Sequence, residues 1–372
     1  MILKPIFLLG LSLLLLSPMA AAQTSPGNFD DLVAQASSAR EQGDIPRAVD
    51  LYQKAVQMNP QWPDGWWYLG SLQYGTSNYG PAADALSHYI ALTPKAGPAY
   101  ALRGLCEFEE EQYPQSLQDI QQAIVLGAAN DPRNSGILVF HEALLLTRLG
   151  RYEEALAKYD VLVKHGTAGQ DVINGLGLAG LRMPILPKDI DPSQEQLVLL
   201  IGQAAASIMS GDMTGGQQAF ENLFNRFPTM PNLHYLYGYL LSVIDPGAAI
   251  VQFQEELKIA PSSAISHSML AWDMGMQGDF AAALPSAQAS VTEDPSLPMA
   301  QLVLGRDLVE TGDMSGSLPH LEAVLKTDPQ NLEAHLALVK AYSKLGRKDD
   351  ARRERLLCMT LSKKRSAPNA NL

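Results

Sequence analysis

The sequence predicts an all-α protein built from stacked helix-turn-helix repeats. Prolines that close apolar segments recur in two series, in which neighbouring prolines are about 34 residues apart. Three glycines near the end of the chain also repeat at this spacing. A unit of this length holds two helices, and such units stack because one helix pair cannot bury its apolar face alone. The prolines are Pro60 and Pro94, then Pro228, Pro261, Pro295 and Pro329, and the glycines are Gly278, Gly312 and Gly346.

The composition favours a chain with a large core over a disordered or nucleic-acid-binding one. Hydrophobic residues make up 47% of the 372 residues and charged residues 18%. The formal net charge of −12 opposes binding to nucleic acid, which requires a basic face. The two cysteines, Cys106 and Cys358, fall in repeats far apart in the array, so we expect two free, buried thiols.

Residues 1–22 are predicted to form a cleavable signal peptide. Lys4 precedes an apolar run over residues 6–16, and the small residues Ala20 to Ala22 complete a cleavage pattern. An uncleaved membrane anchor is the alternative, but the run is short for a span and no second run of about 20 apolar residues follows. We therefore expect an exported protein, periplasmic or secreted, without a stable transmembrane anchor after signal cleavage.

The second repeat shows the repeated pattern most completely. The stretch DGWWYLGSLQYGTSNYGPAADALSHYIALTP carries Trp66, Leu69, Gly70, Ala82 and Pro94 in register. This pattern resembles the tetratricopeptide repeat family, whose unit is a helix-turn-helix of about 34 residues. Similar units cover nearly all of the chain that follows the signal peptide.

The resemblance implies a right-handed α-solenoid, with four repeats in residues 29–169 and five in residues 197–365. Glycine or alanine is expected where the two helices of a unit cross, and glycine at the turn because it tolerates a positive φ. In the sixth unit, Gly238 stands eleven residues before Ala249, which predicts a turn one residue shorter than elsewhere. The nine units start near residues 29, 63, 97, 136, 197, 230, 264, 298 and 332.

Residues 170–196 do not fit the repeat. Their first half predicts one extra helix, and three prolines then predict an extended loop. Asp191, Pro192 and Gln194 are typical of an N-cap and the first turn of a new helix. The segment is either a hinge or binding loop, or a repeat that has decayed.

The sequence contains no pattern typical of a catalytic, metal or cofactor site. The seven histidines include no H-x-x-x-H pair, and none lies beside a cysteine pair. The glycine-rich stretch at residues 174–180 lacks the lysine of a phosphate-binding loop, and no predicted strand precedes it. The acidic run at residues 107–111 is typical of a solvated helix face rather than of paired catalytic carboxylates. We therefore expect no enzyme activity, metal or cofactor.

The remaining candidate site is the surface of the first helices, which line a concave groove in tetratricopeptide repeat proteins. In that family, the fifth, ninth and twelfth positions of a unit face the groove. The resemblance places apolar and aromatic side chains there, which suits an amphipathic helix or an extended apolar peptide. Alternatively, these side chains pack against neighbouring helices as part of the core. The candidate partner-binding residues are Trp67, Ser71, Tyr74, Leu105, Phe108, Phe140, Leu144, Tyr235, Tyr239 and Trp272.

The C-terminal end of the chain is basic, whereas the chain as a whole is acidic. From Arg347 onward there are eight basic and three acidic residues. This end is either a contact for anionic lipid or an acidic partner, or the polar cap that a repeat array needs for solubility. Residues 366–372 are expected to be disordered.

These observations predict a non-catalytic scaffold or adaptor that binds a partner protein or peptide in the cell envelope. An accessory subunit of an envelope enzyme acting in trans is one alternative. A carbohydrate or small-ligand binder that uses Trp67 and Tyr74 is another. Nucleic acid is not an expected partner, and the sequence leaves the oligomeric state open.

Overall fold

The computed structural model describes residues 28–366, which form nineteen α-helices, two short 3₁₀ segments and no strand. The all-α solenoid prediction is confirmed. The predicted signal peptide at residues 1–22 and residues 367–372 of the predicted tail lie outside the described residues, whereas Ser366 ends the last helix. Among the described helices, none is both long and apolar enough to cross a membrane.

The described residues fall into two compact units, 28–175 with 183–190, and 176–182 with 191–366. The boundary lies inside α9 (Gln170–Gly180). The first unit contains α1 (Phe29–Glu41), α2 (Ile45–Met58), α3 (Pro63–Gly75), α4 (Tyr79–Leu92), α5 (Gly97–Glu109), α6 (Tyr113–Val125), α7 (Pro132–Arg148) and α8 (Tyr152–Lys164). The second contains α10 (Pro192–Met209), α11 (Met213–Arg226), α12 (Leu233–Leu241), α13 (Pro246–Ile259), α14 (Ala264–Met276), α15 (Phe280–Glu293), α16 (Pro298–Thr311), α17 (Met314–Thr327), α18 (Leu332–Lys344) and α19 (Lys348–Ser366).

The helices form nine pairs, each with a first and a second helix in contact, and α9 lies in the chain between the fourth and fifth pairs. The fourth and fifth pairs begin at Pro132 and Pro192, earlier than the positions 136 and 197 counted from the sequence. Asp131 and Asp191 cap these helices by accepting a backbone N–H bond, and proline suits the first turn. These start signals lengthen both helices at their N-termini.

The turn inside a pair requires a left-handed residue at a fixed place. Glycine occupies it in six pairs, at φ between 74° and 103°. Ser77 and Glu111 hold the same place with φ of 60° and 58°, at a conformational cost that glycine would avoid. The sixth pair has the shorter predicted turn, in which Val243 is 94% exposed. The glycines are Gly43, Gly150, Gly211, Gly278, Gly312 and Gly346.

Small residues allow the two helices of a pair to approach closely. A Cβ on Gly70 would lie 2.8 Å from Cγ of Leu86, and one on Gly238 would lie 2.8 Å from Cε1 of Phe253. Ala48 on a second helix is fully buried for the same reason. The glycine and alanine positions of the repeat are therefore packing positions.

Five of the closing prolines accept a hydrogen bond from a side chain six residues later, and we term these bonds closing-proline bonds. The donor belongs to the first helix of the next repeat, so each bond ties two successive repeats across the turn between them. The bonds run from Trp66 to the carbonyl of Pro60 (2.9 Å), Tyr100 to Pro94 (3.4 Å), His267 to Pro261 (3.2 Å), Gln301 to Pro295 (2.7 Å) and His335 to Pro329 (3.0 Å).

The glycines of α9 allow this helix to lie very close to neighbouring residues. Each of three glycines in this helix faces an atom that leaves no room for a Cβ, so the stretch serves close helix contacts. A Cβ would lie 2.2 Å from the Tyr159 hydroxyl at Gly175, 2.2 Å from the Val198 carbonyl oxygen at Gly177 and 2.5 Å from a Leu236 methyl at Gly180.

Both cysteines are free and buried, which confirms the prediction. Burial raises the pKa of the Cys106 thiol to about 12 and also raises the pKa of Cys358. The two thiols therefore contribute to packing as small apolar groups rather than as a cross-link.

Candidate functional site

Several first helices of successive repeats lie next to one another within each compact unit. In the first unit α3 contacts α5, and in the second unit α14 contacts α16 and α16 contacts α18. Side chains at the same place in successive repeats therefore form rows along this surface. The ten candidate partner-binding residues belong to these first helices.

On α3, the candidate residues share one face and are half-buried. Trp67, Ser71 and Tyr74 are spaced at four and three residues, as one helix face requires. The Trp67 ring lies 5.4 Å from that of Tyr89, and the Tyr74 ring lies 5.7 Å from that of Tyr79. This face of α3 is an aromatic surface that rests on its own second helix and remains partly accessible.

Four of the candidate residues are core residues in this chain. Leu105, Phe108, Leu144 and Tyr235 are only 2%, 6%, 5% and 1% exposed. These four side chains pack against neighbouring helices, as the alternative interpretation expects, because they expose almost no surface to a partner. Phe140 is half-buried, with its ring 5.9 Å from the buried His141.

In the second unit, Tyr239 and Trp272 are half-buried, and Trp272 has an unpredicted neighbour. The guanidinium carbon of Arg306 lies 4.6 Å from the centre of the Trp272 ring. Arg306 Nη2 donates to the carbonyl of Ala271 at 3.0 Å, and its Nε donates to Asp307 at 2.9 Å. A guanidinium held over an indole in this way is a rigid cation that packs between α14 and α16, and its side chain is only 12% exposed.

Two buried carboxyl groups lie close to Arg306. Asp273 is 1% exposed and accepts the Ser242 hydroxyl at 2.8 Å, and Asp307 is fully buried. Burial raises the pKa of both groups to about 6, although Arg306 acts in the opposite direction on each. The Oδ2 atom of Asp307 is buried without a hydrogen-bond partner. The row of first helices in this unit thus has charged groups beneath its accessible surface.

Arg306 was absent from the sequence prediction, although the spacing contains a signal for it. It follows Trp272 by one repeat length, so it occupies the next repeat's copy of the same position. Lys340 stands at that position one repeat further on, and it pairs with Glu310. A search for cations as well as aromatic residues at this position would have found both.

The acidic run at residues 107–111 differs in part from the solvated face that the sequence predicts. Glu109, Glu110 and Glu111 are exposed, but the Glu107 side chain is only 13% exposed and its Oε2 atom has no hydrogen-bond partner. Glu107 lies 3.9 Å from Arg103, whose guanidinium is already bound by Asp119. Burial, followed by the charge of Asp119, raises the pKa of Glu107 to about 7.

We expect the substitution Glu107→Gln to stabilise the protein at high pH. The ordinary pKa of this group is 4.5 and its folded pKa is about 7, so ionisation above pH 7 opposes folding. The gain should reach about 1–3 kcal/mol at pH 8 and fall below about 1 kcal/mol at pH 5, where the folded carboxyl is protonated. Gln73, at the same place in the preceding repeat, shows that the amide fits this position.

Urea denaturation at pH 8 and pH 5, followed by circular dichroism, measures the effect. The exposed neighbour Glu110→Gln serves as the control and should change stability little at either pH. A destabilised Glu107→Gln protein at pH 8 would show that the carboxylate contributes a net favourable interaction with Arg103.

No metal-binding arrangement occurs in the part of the chain that the structure describes: it contains no group of three or more His, Cys, Asp or Glu side chains placed to hold an ion. The partly accessible candidate residues of the first helices are instead mainly aromatic. Such a surface can bind a partner through apolar and aromatic contacts.

Three parts of the chain match known repeat proteins. Models of the tetratricopeptide repeat match residues 33–97, 264–289 and 308–354. A TPR repeat-containing protein of Methanocaldococcus jannaschii is 22% identical over 248 residues. That match covers 64% of this chain and 40% of the relative, so the similarity spans less than half of that protein.

Solved structures of shorter repeat proteins also match. A MamA fragment from Desulfovibrio magneticus RS-1 is 18% identical, with a TM-score of 0.39 over 46% of this chain and 96% of that chain. YrrB, described as a TPR protein with an unusual peptide-binding site, is 16% identical, with a TM-score of 0.39 over 46% of this chain and 87% of that chain. Repeat models match the chain towards both ends of its nine helix pairs, so the resemblance to the tetratricopeptide repeat family is supported and the matched residues are tetratricopeptide repeats.

Proposed function

We propose that this protein is a non-catalytic interaction scaffold or adaptor of the cell envelope, which binds a partner peptide or helix on its first helices. The observation that carries the proposal is the half-buried aromatic surface of α3, formed by Trp67 and Tyr74. Rigid aromatic side chains that stay partly accessible are favoured anchors for a protein partner.

The second compact unit offers its own surface of the same kind. Trp272 is half-buried, and Arg306 stacked on it fixes the orientation of the ring, while the Arg306 charge pairs with Asp307. The combination favours a peptide segment that places an apolar side chain against this ring. We expect the two compact units to bind independently or to share one extended partner.

A photoreactive amino acid placed at Ser71 tests the proposal in cells. Ser71 lies between Trp67 and Tyr74 on the same face of α3 and is half-buried. We expect a discrete protein adduct on irradiation, which mass spectrometry would identify. The same amino acid at the exposed Asp84 of α4 is the control and should not give that adduct. Equal adducts from both positions, or none from Ser71, would count against the α3 surface.

Alanine substitutions separate the binding surface from the core. We expect Trp67→Ala to lower the yield of the Ser71 adduct and to cost less stability than truncation of a fully buried ring, because Trp67 is partly accessible although it packs against a core cluster. Phe108→Ala should instead cost about 3–5 kcal/mol of stability, since truncation of a buried ring leaves a cavity. Thermal melting and adduct yield are measured for both proteins. A large loss of stability in Trp67→Ala with an unchanged adduct would assign this ring to the core.

The envelope location is part of the proposal and rests on the predicted signal peptide. Cleavage after Ala22 would leave Gln23 as the first residue. N-terminal sequencing of the protein from fractionated cells tests this point. Retention of residues 1–22 on the purified protein would favour the uncleaved anchor.

A further inference from the structure

The last helix, α19, uses one face to pack against the rest of the repeat stack. Ala351, Glu354, Cys358 and Leu361 are buried at spacings of three and four residues, so they form a single stripe. On this stripe, Glu354 lies 2.6 Å from Nδ1 of His335 on α18. The opposite side of α19 therefore faces away from the repeats.

We name that opposite side the outward face, and define it by Arg352, Leu356, Met359 and Lys363. All four are exposed, and their spacings of four, three and four residues place them on one side of the helix. Leu356 and Met359 are 58% and 54% exposed, and Leu357 beside them is 42% exposed. Large apolar side chains concentrated in this way on one helix indicate a contact surface.

Positive charge dominates the outward face. Residues 355–366 contain four basic and no acidic residues. Of the three acidic side chains nearby, Glu354 is buried against His335 and Asp350 accepts hydrogen bonds from two arginines. This leaves Asp349, one turn before Arg352, as the exposed carboxylate on this side. An occupant of this face must therefore offer negative charge together with an apolar region.

The preceding repeat shows how this surface departs from a stacking surface. Leu318 and Leu325 of α17 pack against a core cluster that contains residues of α18. The residues at the same places one repeat later are Arg352 and Met359, so an arginine stands where a stacking leucine would be. A further repeat stacked on α19 would have to bury the charge of Arg352, whereas Met359 preserves the apolar character of its position.

We propose that the outward face of α19 binds the surface of a bilayer that contains anionic phospholipid. Leu356 and Met359 would enter the boundary between headgroups and acyl chains, and Arg352 and Lys363 would extend their charges to the phosphates. A bilayer interface suits this face, because Leu356 and Met359 lie between Arg352 and Lys363 on one side of a single helix. Amphipathic helices that lie in the plane of a bilayer interface combine apolar and basic side chains in this way.

Vesicle flotation with the full-length mature protein tests the proposal. The vesicles contain phosphatidylcholine alone, or phosphatidylcholine with phosphatidylglycerol. We expect binding only to the vesicles with phosphatidylglycerol, and release by 0.5 M salt (roughly a 4 Å screening length). The double substitution Arg352→Glu with Lys363→Glu should reduce partitioning at least tenfold, since each basic residue contributes to the attraction.

A second pair of variants tests the apolar part. Leu356→Ser with Met359→Ser should also reduce binding at least tenfold, whereas Val243→Ser should not, although Val243 is 94% exposed. Circular dichroism establishes that each protein remains folded. Absence of binding to phosphatidylglycerol vesicles would overturn the proposal and leave an acidic protein as the occupant. Equal binding by the wild type and both double variants would overturn it as well. The experiment is independent of the α3 surface, because Trp67→Ala should bind vesicles normally.

Discussion

Replacing Gly177 with alanine should destabilise the protein by about 3 kcal/mol or more. The added Cβ would lie 2.2 Å from the carbonyl oxygen and 3.0 Å from the carbonyl carbon of Val198, both of which are backbone atoms of α10. A flexible side chain could move away from a new methyl group, but a helix backbone can do so only if the helix shifts. The higher helix propensity of alanine, about 1 kcal/mol, is too small to offset this contact. Thermal unfolding followed by circular dichroism measures the effect.

Gly75→Ala is the matched control for Gly177→Ala. Gly75 also lies in an α-helix, as the last residue of α3, but a Cβ there would have no neighbouring atom within 4 Å. We expect no loss of stability, and a gain of up to about 1 kcal/mol because alanine restricts the unfolded chain. Similar melting temperatures for the two variants would mean that α9 and α10 adjust freely to the added methyl group.

Replacing His335 with alanine should cost about 3–5 kcal/mol, because the partner carboxylate stays buried without its partner. His335 and Glu354 are 3% and 8% exposed, and His335 Nδ1 lies 2.6 Å from Glu354 Oε2. The other ring nitrogen of His335 donates to the carbonyl of Pro329 at 3.0 Å. The substitution therefore removes a polar contact between α18 and α19 and also a closing-proline bond. Urea denaturation at pH 7 measures the loss.

His335→Gln separates these two contributions. Gln301 stands at the same place in the preceding repeat, where it donates to the carbonyl of Pro295 and accepts from His320. A glutamine at position 335 should therefore keep the bond to Pro329, while its amide oxygen would face Glu354 and leave the carboxylate without a donor. We expect its loss of stability to be smaller than that of His335→Ala. A loss as large as that of alanine would show that the imidazole itself, and not hydrogen-bonding capacity, is required.

The helix pairs could be predicted from the sequence because every repeat buries its apolar face against its neighbours with the same kinds of residue. A proline, a turn glycine and a crossing glycine or alanine each recur once in most repeats, so one repeat predicts the next. The start of a helix is less constant, since it depends on local capping. Asp131 with Pro132 extends α7 beyond the repeat count, and that signal lies in the sequence but outside the repeated pattern.

The candidate site was harder to predict, because exposure depends on what the neighbouring helices supply. Trp67 and Tyr235 occupy the same predicted place in their repeats, yet Trp67 is half-buried and Tyr235 is 1% exposed. The Tyr235 ring lies 5.9 Å from the fully buried Phe253 of the second helix, a contact that no single-repeat pattern specifies. The raised pKa of Glu107 likewise depends first on its burial and then on the charge of Asp119, twelve residues away on α6.

The closing-proline bonds have a consequence for how such an array changes its length during evolution. Donor and acceptor are six residues apart, so a duplicated segment of one repeat length carries its own complete bond and breaks none in its neighbours. The donor need only present an N–H or O–H, and tryptophan, tyrosine, histidine and glutamine all serve. Recombination can therefore add or remove whole repeats without breaking a closing-proline bond at the junction. Point mutation can then change the donor side chain from one repeat to the next.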